Sequence, residues 1–150
     1  MISVHLVDYI AHQHTLHQIR HEVFVEEQGI PPSFEMDCWD PISCHVLATC
    51  ENQPIGTGRL LPNGYIGRVA VRRPMRQRGV GTQILHILFK AASQQGHTQV
   101  ELSAQCHAIS FYHRLGFREI GNRYRQVGID HIRMIKALPT AHSWEAALIA

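Results

Sequence analysis

The stretch Ile66-Gly67-Arg68-Val69-Ala70-Val71-Arg72-Arg73-Pro74-Met75-Arg76-Gln77-Arg78-Gly79-Val80-Gly81-Thr82-Gln83-Ile84-Leu85 reads as a strand, a short basic turn and the opening of a helix. Val69 and Val71 are β-branched strand formers, and Pro74 halts regular structure. Beyond Gly79 the apolar residues Ile84, Leu85, Leu88, Phe89 and Ala92 recur at helical spacing. A helix begins with amide hydrogens that have no internal partner and with the positive end of its dipole, so it accepts anions. Gly79 and Gly81 lack the β-carbon that would hold a bulky phosphate away, while Arg72, Arg73, Arg76 and Arg78 raise the local positive potential. The expected guest is a pyrophosphate. A Walker loop would need lysine before Thr82, where Gly81 stands, and a dinucleotide fingerprint would need glycine in place of Ile84.

Outward from this stretch, the chain has 150 residues, 45% of them hydrophobic and 17% charged, enough for one domain around a single core. A formal charge of +2 is too small to imply general nucleic-acid binding. Its distribution says more. No lysine or arginine lies between Arg20 and Arg59, where Glu22, Glu26, Glu27, Glu35, Asp37, Asp40 and Glu51 fall, whereas Arg68, Arg72, Arg73, Arg76 and Arg78 crowd the next region. One region is suited to attract a cation and the other an anion. Cys38, Cys44, Cys50 and Cys106 show neither zinc nor disulfide spacing, so reduced thiols and no metal are expected. No run approaches a membrane span and no signal sequence opens the chain, which points to the cytoplasm and away from a membrane partner.

Ile2, Val4 and Leu6 alternate in a first strand at 2–7. A helix carrying Leu16, Ile19 and Val23 follows, capped by Thr15 and ended by Gly29, with His14, His17 and His21 on a face read as solvated rather than metal-binding. A carboxylate-rich loop runs from Glu26 to Asp40. Strands around Val46–Cys50 and Ile55–Leu61, joined by a turn at Asn52-Gln53-Pro54, continue through Pro62-Asn63-Gly64 into the opening strand as an antiparallel meander. The Gly79 helix ends at Gly96, and a further strand carries Val100 and Leu102, so the strand-helix-strand unit implies a parallel pair with a right-handed crossover. A helix with Ile109, Phe111, Tyr112 and Leu115 ends at Gly116, and the tail alternates at Phe117–Ile120 and Ile129–Met134. Residues 1–138 are expected to form the domain and 139–150 a tail with a short helix at Ser143–Leu148.

Arg76-x-x-Gly79-x-Gly81 after Val69-Ala70-Val71 resembles the acyl-CoA signature of the GCN5-related N-acetyltransferases (GNAT). Ala108-Ile109-Ser110-Phe111-Tyr112-His113-Arg114-Leu115-Gly116-Phe117 is similar to the family's segment that ends the acyl-CoA site. Ile19–Pro31 with Glu35, Asp37 and Asp40, and Gly128–Met134, resemble the start and end of its ElaA-like and YjcF-like bacterial subgroup, so the likeness spans about residues 2 to 137. It implies a single-domain α/β fold with a central mixed, mostly antiparallel sheet, whose parallel central strands splay apart, and flanking helices. It also implies acetyl-CoA as co-substrate.

The resemblance implies that main-chain groups of Val69 and Val71 hold pantetheine. The amides from Arg76 through Gln77, Arg78, Gly79, Val80, Gly81 and Thr82 would hold the pyrophosphate. Gln105 stands where many members have asparagine three residues before the helix alanine, and its longer amide would make the same cofactor contact. Transfer to a primary amine of a small molecule needs a base, because such an amine, at about 10.4, is protonated in neutral water. Glu26, Asp37 and His45 are weighed for that role, with His107 near the helix of Tyr112. The Val69 amide would stabilise the oxyanion, and Tyr112, at the cofactor, would protonate the leaving thiolate. Glu26, Gln28, Glu35, Asp37, Asp40 and His45 border the acceptor side. A degenerate module that senses acyl-CoA without turnover and a protein-lysine acetyltransferase stay open as alternatives, as does a homodimer.

Overall fold

Alternating apolar residues build β1 (Ile2–Val7), which pairs antiparallel with β2 (Cys44–Cys50) from Ile2↔Cys50 to Val7↔His45. Glu51 and Asn52, both at positive φ, reverse the chain, so Gln53 and Pro54 belong to β3 (Gln53–Leu60) and not to the turn. β3 pairs antiparallel with β4 (Tyr65–Val71), completing the meander. β4 then runs parallel to β5 (Gln99–Gln105), and β6 (Arg118–Gln126) and β7 (Ile129–Ala137) close a seven-stranded sheet of order β1-β2-β3-β4-β5-β7-β6. The mixed sheet with flanking helices is the architecture expected from the sequence. In this computed structural model residues 1–139 are described, so the helix expected at Ser143–Leu148 lies outside them.

The first helix, α1 (Tyr9–Arg20), starts earlier than a Thr15 cap would allow, because the Asp8 carboxylate accepts from the Ala11 amide at 2.9 Å. It runs on as a π-helical segment, His21–Glu27, in which the Gln28 amide reaches back five residues to the Val23 carbonyl at 3.2 Å. Helix α2 (Val80–Gln94) buries Val80, Ile84, Leu85, Leu88, Phe89 and Ala92 against the sheet. Helix α3 (Ile109–Arg114) has only six residues and follows a 3₁₀ turn at Cys106–Ala108.

On the face of the sheet that α1 covers lies a cluster of charges. Arg20 is wholly buried, and Asp40, Arg59 and Glu35 nearly so. Arg20 Nη1 donates to Asp40 Oδ1 at 2.9 Å and Arg20 Nη2 to Asp40 Oδ2 at 3.2 Å. Arg20 Nε lies 2.5 Å from Glu35 Oε1, a charge contact without hydrogen-bond alignment. Arg59 Nη1 reaches Asp40 Oδ1 at 2.9 Å and Asp37 Oδ1 at 2.7 Å, and Arg68 Nη2 reaches Asp37 Oδ2 at 3.1 Å. Arg20, Arg59 and Arg68 thus balance Glu35, Asp37 and Asp40. Desolvation makes such a cluster a poor net source of stability while all partners are present, yet removing one leaves a buried charge uncompensated.

Burial alone would raise the Asp40 carboxyl, but the hydrogen bonds and charge of Arg20, then of Arg59, hold it at about 2. Its folded value lies below the unfolded one. The stability it contributes is therefore complete above about pH 4 and is lost as pH falls towards 2. Asp40→Asn is expected to lower the urea unfolding free energy at pH 7 by about 3–5 kcal/mol. Between pH 5 and 3 the variant should lose less further stability than the parent.

Candidate active site

β4 and β5 pair only at Tyr65↔Glu101 and Ile66↔Leu102, and beyond that point they part. On its other edge β4 slips against β3, because Thr57↔Ala70 and Arg59↔Gly67 bracket an extra residue, with Arg68 at a φ of +50°. The Arg72 amide donates to the Ile55 carbonyl at 2.8 Å. Amides in extended chain alternate between edges, so those of Val71 and Val69 turn away from β3, towards the gap that β5 has left. Such groups need a partner, and an extended ligand can supply one as an added strand would. The gap opens into a cavity of about 750 Å³ walled by Gly67 to Val71, by Leu102, Ser103 and Gln105, by Phe24, Glu27, Gln28, Ile30 and Phe34, and by Tyr112, Gln126, Val127 and His131.

At one end of this cavity lies the basic turn. Gly79, the N-cap of α2, sits at a φ of +80° with nothing within 4 Å of where a β-carbon would project. No side chain caps the helix, so the amides of Val80, Gly81 and Thr82 are available to an anion. An acyl-CoA pyrophosphate fits this terminus. Gly81 carries a packing constraint besides the one read from sequence: a β-carbon there would meet Phe111 Cζ at 3.1 Å. The arginines are also less free than their number suggests. Arg76 binds Glu27 through Nη1 and Nη2 at 2.6 and 2.7 Å and the Val71 carbonyl through Nε at 2.8 Å. Arg73 approaches the same Glu27, and Arg72 Nε donates to Glu22 at 2.6 Å. Of the five arginines from Arg68 to Arg78, Arg78 alone makes no ion pair among the described residues.

The residues weighed for the acceptor and the base separate sharply. Glu26 is exposed and outside the cavity, and its one ion-pair contact among the described residues is with His21, 3.6 Å away. Asp37 is spent on Arg59 and Arg68, whose hydrogen bonds and charges lower its carboxyl against the opposing effect of burial. Asp40 is sealed between Arg20 and Arg59. His45 is buried, stacked on Tyr9 with ring centres 4.8 Å apart, and bonded through Nε2 to the Asp40 carbonyl at 2.8 Å; burial lowers its pKa. Neither Asp37, Asp40 nor His45 lines the cavity. Glu35 does, but it is buried and its carboxylate is held by Arg20 and, at 2.8 Å, by His17 Nδ1. His17 also meets the Tyr9 hydroxyl at 2.7 Å, so it belongs to the buried cluster and not to a solvated face.

Gln28 and Gln105 do face the cavity. Their amides exchange two hydrogen bonds, at 3.1 and 2.8 Å, across the space between the π-helical segment and β5, and His107 Nε2 lies 2.6 Å from Gln105 Oε1. Gln105 therefore uses its length to bridge the cleft. Tyr112 packs edge-on against Phe111 and Phe117, at 5.1 and 5.6 Å between ring centres, and burial pushes its hydroxyl up to about 12.

Sequence reasoning missed Arg68, whose Nε and Nη2 donate to the carbonyls of Glu35 and Phe34 at 3.1 and 3.0 Å and so clamp the acidic loop beside the cavity. It also missed Gln126, Val127 and His131 as lining residues. Only the Gly128–Met134 likeness had drawn attention to that end of the chain.

The geometry has counterparts in known proteins. The acetyltransferase (GNAT) domain model matches residues 10–138. N-acetyltransferase YjcF of Bacillus subtilis is 35% identical over 122 residues, covering 79% of this chain and 87% of its own. Among solved structures, an acyl-CoA N-acyltransferase from Pseudomonas aeruginosa superposes with a TM-score of 0.80 at 33% identity, over 91% of this chain and 100% of that one. ElaA of Escherichia coli does so with 0.77 at 28%, over 91% and 99%. Among the described residues, no helix is long and apolar enough to cross a membrane, and no group of three or more side chains is arranged to hold a metal.

The contact of Gly81 with Phe111 has a measurable sign. Alanine is a better helix former than glycine by about 0.8–1 kcal/mol. In the parent, Gly81→Ala should lose that gain to the clash, whereas in a Phe111→Leu background the same change should stabilise by about the full amount. A double-mutant cycle from urea unfolding reads the difference.

Proposed function

This chain belongs to the GNAT acetyltransferase family and is an N-acetyltransferase that uses acetyl-CoA, and on that footing we propose that its acceptor is a small primary amine, acetylated by direct attack in a ternary complex. The observation that carries this reading is the cavity of about 750 Å³, within which the unpaired edge of β4 and the wall made by Phe24, Ile30 and Phe34 face a common space. Arg68 clamps the loop bearing Phe34 through main-chain bonds, which favours an enclosed small molecule over a peptide. Glu35, Asp37 and Asp40 of that loop are matched by Arg20, Arg59 and Arg68 and Glu27 by Arg73 and Arg76, and Glu26 lies outside the cavity, so the loop carboxylates are poorly placed to select a second positive charge there. An amine on an apolar body suits this wall better than a polyamine.

The oxyanion and the leaving sulfur each have a group suited to them. The acceptor arrives as an ammonium, near about 10.4 in water, and must lose a proton before its nitrogen can attack the thioester carbon. The Val69 amide, turned into the gap beside the bulge, suits the oxyanion that then develops. Collapse breaks the C–S bond, and the departing sulfur takes a proton. Tyr112, at about 12, is fully protonated at neutral pH. A donor that weak cannot leave its proton on a thiol near about 8.5 unless its own is replaced in the same step. The attacking nitrogen, which must shed a second proton, supplies the replacement, so Tyr112 acts as a relay.

Thiol release from acetyl-CoA, measured across a panel of primary amines, tests the reading. Release should depend on the amine and favour apolar bodies over diamines. Acetyl-CoA binding with no release from any amine would support a sensing module, and release only with lysine peptides would support a protein substrate. Tyr112→Phe should lower kcat by about 10² to 10⁴ with acetyl-CoA affinity little changed. Because its hydroxyl stays protonated below about 12, kcat of the parent should show no alkaline fall from this group before about pH 11.

A further inference from the structure

Glu26 lies outside the cavity, Asp37 is paired, and His45 is sealed off, so the first proton transfer has no base among them. Two histidines line the cavity, His107 and His131. His107 is exposed and bonded through Nε2 to Gln105. His131, on β7, is only 7% exposed. Its Nδ1 lies 2.7 Å from the carbonyl oxygen of Ile129. A carbonyl can only accept, so Nδ1 carries the proton of the neutral ring and Nε2 carries the lone pair. Nε2 has no hydrogen-bond partner among the described residues. It is not sealed either, because the buried side-chain atoms left without a partner there are Arg20 Nε and Arg59 Nε.

The ring is also held in place. It stacks on Tyr124 of β6 with centres 5.9 Å apart and planes at 20°, and the Tyr124 hydroxyl is bonded to Ser103 of β5. Gln105 stands directly across from it on β5. Further along the same face, the Arg133 guanidinium, the charge that would oppose protonation of the imidazole, is paired with the Glu101 carboxylate. A base on the cavity wall with a fixed tautomer, an unpartnered lone pair that is not sealed off and a rigid setting has the attributes that proton abstraction needs.

We infer that His131 is the general base, its Nε2 taking the proton of the acceptor ammonium. The inference rests on the amine-acetylation reading above. Of the two protons the nitrogen loses, the first goes to His131 Nε2 and on to solvent. The second leaves as the new C–N bond is kept and the C–S bond breaks, and it ends on the CoA sulfur through Tyr112.

His131→Asn tests this, because the amide can still donate to Ile129 while the Nε2 lone pair is gone. At neutral pH kcat/KM for the amine should fall by about 10² to 10⁴, with acetyl-CoA affinity within about twofold. The acid limb of the parent's pH profile should be replaced by a rate that climbs with the free-amine fraction and approaches the parent only near the pKa of the amine itself. A variant within about threefold of the parent, with the same profile, overturns the inference. ¹⁵N spectra of the histidine rings in the unmutated protein give an answer that does not depend on how the variant folds: the Nδ1–H tautomer at His131 is expected, and the Nε2–H tautomer overturns it. A parent that releases no thiol with any amine refutes the transfer reading instead, and this role with it.

Discussion

A main-chain amide that leaves a sheet must find another partner, and β4 leaves its sheet on one side after Ile66 while slipping out of register on the other at Arg68. The rest of the molecule is arranged around that discontinuity. Helix α2 and its buried stripe fix the basic turn at one end of the opened edge, and α3 sets Tyr112 beside it. The β6–β7 hairpin brings His131 to the far wall. The unpaired edge is therefore a template, and an acyl-CoA arm is the ligand proposed to complete it.

Charge pairing decides which parts of the cavity stay polar. Glu35, Asp37 and Asp40 give their charge to Arg20, Arg59 and Arg68, and Glu22 and Glu27 give theirs to Arg72, Arg73 and Arg76. These contacts tie the segment from the π-helical turn to residue 40 against both β4 and the basic turn before α2. The wall proposed for the acceptor and the turn proposed for the cofactor are in consequence tied to one another, and the Gln28–Gln105 amide pair adds a further link across the cleft. Two arginines bracket the acid-only stretch in sequence, Arg20 and Arg59, and both return in space to neutralise it.

That return is why the acidic loop misled a linear reading. Local composition reveals a run of carboxylates, but their partners lie on α1, β3 and β4, at separations that no spacing rule covers. The strands were legible because period-two alternation survives in Ile2–Leu6 and Val100–Leu102, and α2 because its stripe faces a single sheet. The π-helical turn was not, since its wider period breaks the 3.6-residue pattern just where the chain brings Glu27 and Gln28 to the cleft. Gly81 was read for a ligand alone, and the contact with Phe111, thirty residues on, was out of reach of any local pattern. His131 could not be singled out among 12 histidines until the Ile129 carbonyl assigned its proton.

The central claim is that the freed edge of β4 receives the co-substrate, and amide hydrogen exchange along that strand tests it most directly. With saturating acetyl-CoA, exchange at Val69 and Val71 should slow by at least about tenfold, while Ala70, already turned to β3, should change little. Unchanged exchange at Val69 and Val71 in a protein shown by calorimetry to be saturated would contradict the account and move the ligand elsewhere.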